Sequence, residues 1–336
     1  MKRELQVDVE EFIGSNYQIG VEQGDQIAIN DHFYLLKAIS KNTNSKEVKV
    51  ILQDISPGFL DELRGIADGL KIDFNTVLRM YSGYNLPVPP MGCTSFSHDN
   101  YYIRNYDFTP EIYDARFVFH KSEEGYASVG FSDQILGRLD GMNEHGLIVG
   151  LHLVNEHYTG TGFIATTIVR LVLEQCRNVE EAVNLIMKLP HGYCYNYSLV
   201  DKQGRKCIVE ASPEKQIVHE SPILMCTNHF ETDLLKVKNR TTIAGSIHRK
   251  EFLQTLSSND YPLEVAFKKF NNENSPLFYK EYRQFFGTLH TVIYLPNTLE
   301  VIVGIGGNAN PITFSLDKWL NGDIKVKGTI IGEIDY

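Results

Sequence analysis

The chain has 336 residues, 43% of them hydrophobic, so it can bury a sizeable core, and disorder is excluded. Lys and Arg number 32 against 42 for Asp and Glu; the formal charge of -10 argues against a nucleic-acid or anionic-membrane partner, and no basic patch stands out. Five cysteines (Cys93, Cys176, Cys194, Cys207, Cys226) occur without a CxxC pair in a chain too large to need disulfide staples, so a reducing, cytoplasmic setting with a thiol free to react is the expectation.

The opening MKRELQVDVEEFIG alternates acidic and apolar positions and lacks the apolar run of a secretory signal; no later run approaches the length of a membrane span. From Tyr17 to Ile39 apolar residues recur at helical spacing, and a second helical face follows SPG, with Phe59, Leu60, Leu63, Ile66 and Leu70. Asp73 is the expected N-cap of a third helix, FNTVLRMYSGY, so the first part reads as mostly α. NLPVPPMGCTSFSHDN then forces an extended path and marks a boundary. Beyond it come short β-rich runs (YYIRNYDF, ARFVFH, YASVGF, LIVGLHLV). Helices follow at IATTIVRLVLEQCR and VEEAVNLIMKL, the latter capped by Asn178, and then a hairpin around Asp201-Lys202-Gln203-Gly204. Two further helices, TTIAGSIHRKEFLQTL and PLEVAFKKFNN, precede a last hairpin around Pro296-Asn297. The order suggests two sheets between helical layers.

Several chemistries are absent by spacing: there is no GxxxxGK[ST], HExxH, EF-hand loop or GxSxG, and GIGGNAN reads as a turn because no helix follows it. The eleven histidines lack zinc-helix spacing, so no metal or other cofactor is expected. The informative segment is MGCTSF followed by IRNYD. A hairpin through Asp99-Asn100 sets Cys93 at the start of one arm and Arg104 and Asp107 at the far end of the other, beside it. A thiol needs a positive neighbour or a base to attack near neutral pH. Arg104 supplies the first. The second is available as the α-amine of Cys93 itself if the Gly92-Cys93 bond is cut, with Asp107 orienting it. The opposed reading, a buried inert cysteine beside an Arg-Asp pair, stands level with it on spacing alone.

The set Gly-Cys-Thr-Ser-Phe, Arg-Asn-Tyr-Asp-Phe, GMNEHGLIVGLHLV and MCTNHF resembles the cysteine N-terminal-nucleophile hydrolases: penicillin acyltransferase-like proteins, penicillin V acylases and choloylglycine hydrolases. NYQIGVEQG and DELRGIADGL are similar to the acyltransferase branch in particular. The resemblance implies a four-layer αββα fold of the α+β class, in which residues 1–92 form a mostly helical pro-segment and 93–336 the catalytic core. It implies that Cys93 is the nucleophile, freed by cleavage after Gly92, and that Arg104 and Asp107 support the thiolate and the new amine. By the same resemblance Asn228 donates to the oxyanion and Arg249, after a serine near a helix start, closes the site. His152 stands where relatives have Asn or Tyr donating to the oxyanion; a core histidine is the equal alternative. Glu210 reads as a strand-end carboxylate, His229 as pointing away from the site, Cys176 and Cys207 as core, Cys226 as a small pocket-lining hydrophobe, and Tyr81 and Tyr84 as packing or as walls of an acyl pocket.

The expected function is hydrolysis of a linear amide in a small-molecule N-acyl substrate through a Cys93 thioester. Acyl transfer to a second amine, or an uncleaved binding protein, is the alternative. Neither nucleic acid nor membrane is an expected partner, and homo-oligomerisation stays open.

Overall fold

The computed structural model describes residues 2–98, 100–257, 261–284 and 286–336, so Asp99 of the expected hairpin turn lies outside the described residues. The alternation in the opening segment is a strand, β1 (Lys2–Gly14), in a part that the sequence pattern read as mostly α and to which it assigned no strand. Leu5, Val7 and Val9 are buried while Gln6 and Asp8 between them are exposed, the period-two signature of a strand with one covered face.

Five helices follow: α1 (Asn16–Gln26), α2 (Asp31–Ile39), α3 (Ser45–Ile55), α4 (Pro57–Leu70) and α5 (Phe74–Tyr81). The single helix expected over 17–39 is broken, because the Asn30 side chain accepts from Phe33 N–H and starts a new helix there. Asp73 caps α5 as expected, accepting from Thr76 N–H. The first group of strands is β2 (Gly92–His98), β3 (Tyr101–Phe108), β4 (Arg116–Ser122), β5 (Ser128–Asp133), β6 (Gly137–Arg138), β7 (Asp140–Asn143) and β8 (Ile148–Asn155). After α6 (Ala165–Gln175) and α7 (Val179–Lys188) come β9 (Cys194–Val200), β10 (Lys206–Ala211), β11 (Gln216–Glu220) and β12 (Leu224–Cys226). The chain closes with α8 (Ala244–Leu256), α9 (Leu263–Asn271), β13 (Lys280–Glu281), β14 (Phe286–Leu295), β15 (Glu300–Ile305), β16 (Ile312–Ser315), α10 (Leu316–Leu320) and β17 (Gly328–Asp335).

The strands form two sheets: one of ten in the order β11-β10-β9-β8-β7-β5-β4-β1-β17, with β6 on β5, and one of seven in the order β12-β2-β3-β14-β15-β16, with β13 on β14. α6 and α7 pack on the first sheet, α8 and α9 on the second, and β2 meets β8 between them. This is the αββα sandwich. Phe96, Ile103 and Ile293 face Leu253, Phe267 and Phe270 on the helical side of the second sheet, while Tyr102, Tyr106 and Tyr294 belong to the main core.

The amino-terminal part is built into this frame. β1 lies between β4 and β17, pairing with both. Glycines at α1 and α4 let those helices touch backbone to backbone: a Cβ on Gly20 would lie 2.0 Å from the Glu62 carbonyl oxygen, and one on Gly65 would lie 2.1 Å from that of Tyr17. That contact is the physical content of the glycines in NYQIGVEQG and DELRGIADGL.

α4 is also tied to α6 through charge. One nitrogen of Arg170, Nη2, donates to Glu62 Oε2 (2.7 Å) and Glu174 Oε1 (2.5 Å) and lies 2.9 Å from His120 Nε2. Glu62, His120 and Glu174 bring ligand atoms within 4.8 Å of one another, yet the guanidinium already fills the space between them. Burial opposes ionisation of Glu62, but Arg170 and then His120 outweigh it and hold the carboxyl down at about 2.

Candidate active site

The register of β2 against β3 pairs Gly92 with Asp107, Cys93 with Tyr106 and Ser95 with Arg104. Paired residues share a face, so Cys93, Ser95 and Arg104 look into the space between the sheets, while Gly92, Thr94 and Asp107 look toward α8. The Cys93 sulfur accepts from Arg104 Nη2 at 3.0 Å, and the same nitrogen donates to Leu151 O at 2.8 Å. Arg104 Nη1 pairs with Asp140 Oδ2, and Tyr294 Oη donates to Asp140 Oδ1 at 2.5 Å. Both members of the Arg104–Asp140 pair are wholly buried. Such a pair fixes geometry rather than adding stability, because removal of either partner strands the other.

On the other face, Arg249 of α8 gathers the main chain. Its Nη1 donates to Cys93 O (2.7 Å) and Thr94 Oγ1 (2.6 Å), and its Nη2 donates to Asn228 Oδ1 (2.9 Å). Asn228 Oδ1 also accepts the Cys93 N–H at 2.9 Å, and Asn228 Nδ2 donates to Leu153 O at 2.9 Å. Two donors converge on Oδ1, which fixes the orientation of the amide. Ser246 holds the loop from behind, accepting the Asn228 N–H at 2.8 Å.

Asp107 accepts from Thr288 Oγ1 at 2.6 Å through Oδ1, but its Oδ2 has no hydrogen bond and lies 3.6 Å from Arg249 Nη1. Burial pushes its pKa up, against the pull of Arg249. This free oxygen faces the junction of Gly92 and Cys93: a Cβ on Gly92 would meet it at 2.9 Å and the Phe286 ring at 2.6 Å. A slip in the β14 ladder between Thr288 and His290 matters here, since it sets Thr288 opposite Asp107 and turns His290 toward the space between the sheets.

The five residues Cys93, Arg104, Asp107, Asn228 and Arg249 are thus brought together. His152 lies beside β2, with its Nδ1 buried and without a hydrogen bond. It is fully buried, with Nε2 3.2 Å from Ser95 Oγ and 3.0 Å from Ser198 Oγ, and burial followed by the Arg104 charge holds it well below the usual histidine range. It is a neutral core histidine that braces β2 against the facing sheet. Cys226 and His229 line a smaller cleft with Glu210 and Lys250, away from the apolar cavity, which neither of them lines. Glu210 accepts main-chain N–H bonds from Glu231 and Thr232, and Tyr84 packs on Phe163 with its hydroxyl on Glu47. Tyr81 lines a neighbouring cavity, not the one beside Met91. Asp140, Thr288, Ser246 and the Leu151 carbonyl complete the site; Leu151 lies within GMNEHGLIVGLHLV and Ser246 is the serine before Arg249, while Asp140 and Thr288 carried no sequence motif.

Burial raises the Cys93 thiol to about 11; Arg104 is the strongest opposing influence, pulling it down, and Asp107 pushes it up again. The chain therefore holds a protonated thiol at neutral pH, with the guanidiniums of Arg104 and, less strongly, Arg249 favouring its ionisation. Arg104→Lys keeps a cation for Asp140 but loses the fork that also reaches sulfur. Its pH profile for alkylation of Cys93 is expected to move to higher pH than that of the wild type, with labelling at neutral pH slower by about tenfold. A profile that coincides with the wild type would remove Arg104 from control of the thiol.

The model of a family described as acyl-coenzyme A:6-aminopenicillanic acid acyl-transferase matches residues 95–310. Among solved structures, a variant of conjugated bile acid hydrolase from Clostridium perfringens is similar at 13% identity, with 73% of this chain and 97% of that chain covered and a TM-score of 0.51. Penicillin V acylase from Agrobacterium tumefaciens is 17% identical over 68% of this chain and 86% of its own, with a TM-score of 0.44. An N-acylethanolamine-hydrolyzing acid amidase ortholog from Caenorhabditis elegans is 15% identical over 61% of this chain and 93% of its own, with a TM-score of 0.43. No curated protein matches the chain by sequence. Among the described residues, no helix is long and apolar enough to cross a membrane.

Proposed function

The chain belongs to the acyl-coenzyme A:6-aminopenicillanic acid acyl-transferase family, and from that premise we propose that it is a cysteine amidohydrolase that frees its own nucleophile by cutting the Gly92-Cys93 bond. The observation that carries this reading is the Asp107 Oδ2 oxygen, buried, without a hydrogen bond, and next to Gly92, where a Cβ would meet it at 2.9 Å. A buried carboxylate oxygen without a donor is costly. An α-ammonium on Cys93 would give it one.

In the first step the Cys93 sulfur attacks the Gly92 carbonyl carbon and the peptide nitrogen leaves as the free amine, an N-to-S acyl shift. Water then cleaves the thioester, releasing the Gly92 carboxylate and regenerating the thiol. The Cys93 nitrogen, already held by Asn228 Oδ1 at 2.9 Å, becomes an α-amine with an ordinary pKa of about 7.7 to 8, able to take the thiol proton that burial otherwise retains. The thiolate attacks the substrate carbonyl, the α-ammonium protonates the departing amine, and water hydrolyses the new thioester. One Asn228 amide hydrogen is spent on Leu153 O, and the other is left for the oxyanion. His152 braces the strand from beneath, and main-chain N–H groups provide the second donor.

A denaturing gel of freshly folded protein is expected to show two pieces, the shorter ending at Gly92 and the longer reading Cys-Thr-Ser-Phe at its amino terminus. Intact chain that still hydrolyses amides would sink the N-terminal-nucleophile mechanism. Intact and inert chain would favour a binding protein. Hydrolysis in the presence of an added amine separates the remaining pair, since formation of a new amide marks transfer.

A further inference from the structure

A cavity of about 370 Å³ lies beside the nucleophile strand, at the small end of the range that takes ligands. One part of its wall is apolar: Leu36 of α2, Met91 two residues before Cys93, Phe108, Leu151 and Ile164. Leu151 is also the residue whose carbonyl accepts from Arg104, so this part adjoins the guanidinium that holds the Cys93 sulfur.

Another part of the wall is polar and built with effort. Asp114, Asp133, Gln134 and Thr166 line it. Ala115, Gln134 and Ile135 have φ of 51, 51 and 71° without being glycine, and a β-branched residue such as Ile135 rarely adopts that conformation. Strain of this kind persists only where the surroundings impose it. Here Asp114 accepts from Ile135 N–H at 3.4 Å and from Ser132 Oγ at 2.6 Å, while Arg116 Nη1 donates to Ile135 O at 3.2 Å. The strained turn carries Asp133 and Gln134 to the cavity.

Among the described residues Asp133, unlike Asp114, has no cation beside it. Asp133 forms no ion pair among the described residues, whereas Asp114 has Arg116 at 3.9 Å. Thr166 is 4% exposed, and its hydroxyl is the neighbour that favours the charged form of the Asp133 carboxyl. Burial and then the Asp114 charge raise the Asp133 carboxyl to about 7, the behaviour of an acid without a counter-charge.

We propose that this cavity is an acyl site with a cation-accepting end, selecting N-acyl amides whose acyl chain is apolar along its length and ends in an ammonium group at Asp133. The proposal rests on the amidase reading of Cys93. An acyl chain ending in a carboxylate would be repelled by Asp114 and Asp133, and a plain alkyl end would leave the Asp133 carboxyl without a counter-charge.

Two measurements test it and separate its failure from that of the amidase reading. The first compares kcat/KM for p-nitroanilides of ω-aminoalkanoic acids of graded length with those of the matching alkanoic and ω-carboxyalkanoic acids. The best ω-aminoacyl substrate is expected to exceed its alkanoyl match by about tenfold or more, the size of a hydrogen bond to a charged group. Asp133→Asn is expected to bring the ratio close to one by lowering kcat/KM of the ω-aminoacyl substrate to that of its alkanoyl match. Equal or reversed preference in the wild type, or a ratio unmoved in Asp133→Asn, overturns the proposal. The second is calorimetric binding of hexylammonium against hexan-1-ol to the wild-type protein. Ammonium binding lost in Asp133→Asn, in a protein that hydrolyses no anilide, would retain the cation site and discard the Cys93 chemistry. No preference for ammonium in this measurement discards the site.

Discussion

Cys93→Ala is expected to leave the chain in one piece, to abolish amide hydrolysis to background, and to shift Tm by only a few degrees. The first two effects share a cause, since the same sulfur attacks Gly92 in the precursor and the substrate in the mature protein. No other thiol can replace it. Burial pushes Cys176, Cys194 and Cys207 up to about 12 and raises Cys226 as well. None of these four is hydrogen-bonded to a guanidinium as Cys93 is, at 3.0 Å from Arg104 Nη2. The third effect follows from size: alanine removes one buried atom and leaves Arg104 still paired with Asp140 and Leu151 O. A variant that melts far below the wild type would leave the kinetic loss ambiguous, so Cys93→Ser, which keeps the volume, is measured beside it. Turnover above a few per cent in both would move the chemistry to another group, Cys226 first. A chain that is still cut in Cys93→Ala would separate processing from catalysis and defeat the common-nucleophile mechanism.

The hairpin that carries the nucleophile was legible because its two arms sit close in sequence and alternate in a fixed register, so the neighbourhood of Cys93, Arg104 and Asp107 followed from counting. Counting did not reveal that Arg104 and Asp107 lie on opposite faces, one for the sulfur and one for the nitrogen side. Asn228 and Arg249 came from resemblance alone, since nothing local links a strand end to Cys93 across 135 residues. Asp140 escaped because a single aspartate on a four-residue strand carries no pattern, and it meets Arg104 only when two sheets stack. Thr288 escaped for a different reason: the ladder slip beside it reverses the facing that strict alternation predicts. β1 was missed although its alternation was noticed, because its partners β4 and β17 lie at remote positions that only the fold supplies.

Asn228→Ala is expected to lower kcat by about a hundredfold or more with little change in KM, as for other side-chain oxyanion donors. The geometry gives this residue two tasks that one substitution cannot tell apart. Its Oδ1 holds the Cys93 nitrogen and accepts from Arg249, while its Nδ2 has one hydrogen on Leu153 O and one to spare. Asn228→Asp separates them. A carboxylate keeps both acceptor contacts, and next to Arg249 and an α-ammonium it is electrostatically welcome, but it has no hydrogen to give to an oxyanion. If the transition state draws on the amide hydrogen, Asn228→Asp loses kcat as fully as Asn228→Ala, even though its chain is cut and its Cys93 nitrogen is held. If holding the nitrogen is the whole task, Asn228→Asp turns over near the wild-type rate and only Asn228→Ala fails. Single-turnover measurement of acyl-enzyme formation in the two variants reads the difference directly, because both roles act before the thioester is made. A wild-type rate in Asn228→Ala would take the residue out of the site altogether, and the oxyanion would then rest on main-chain donors alone.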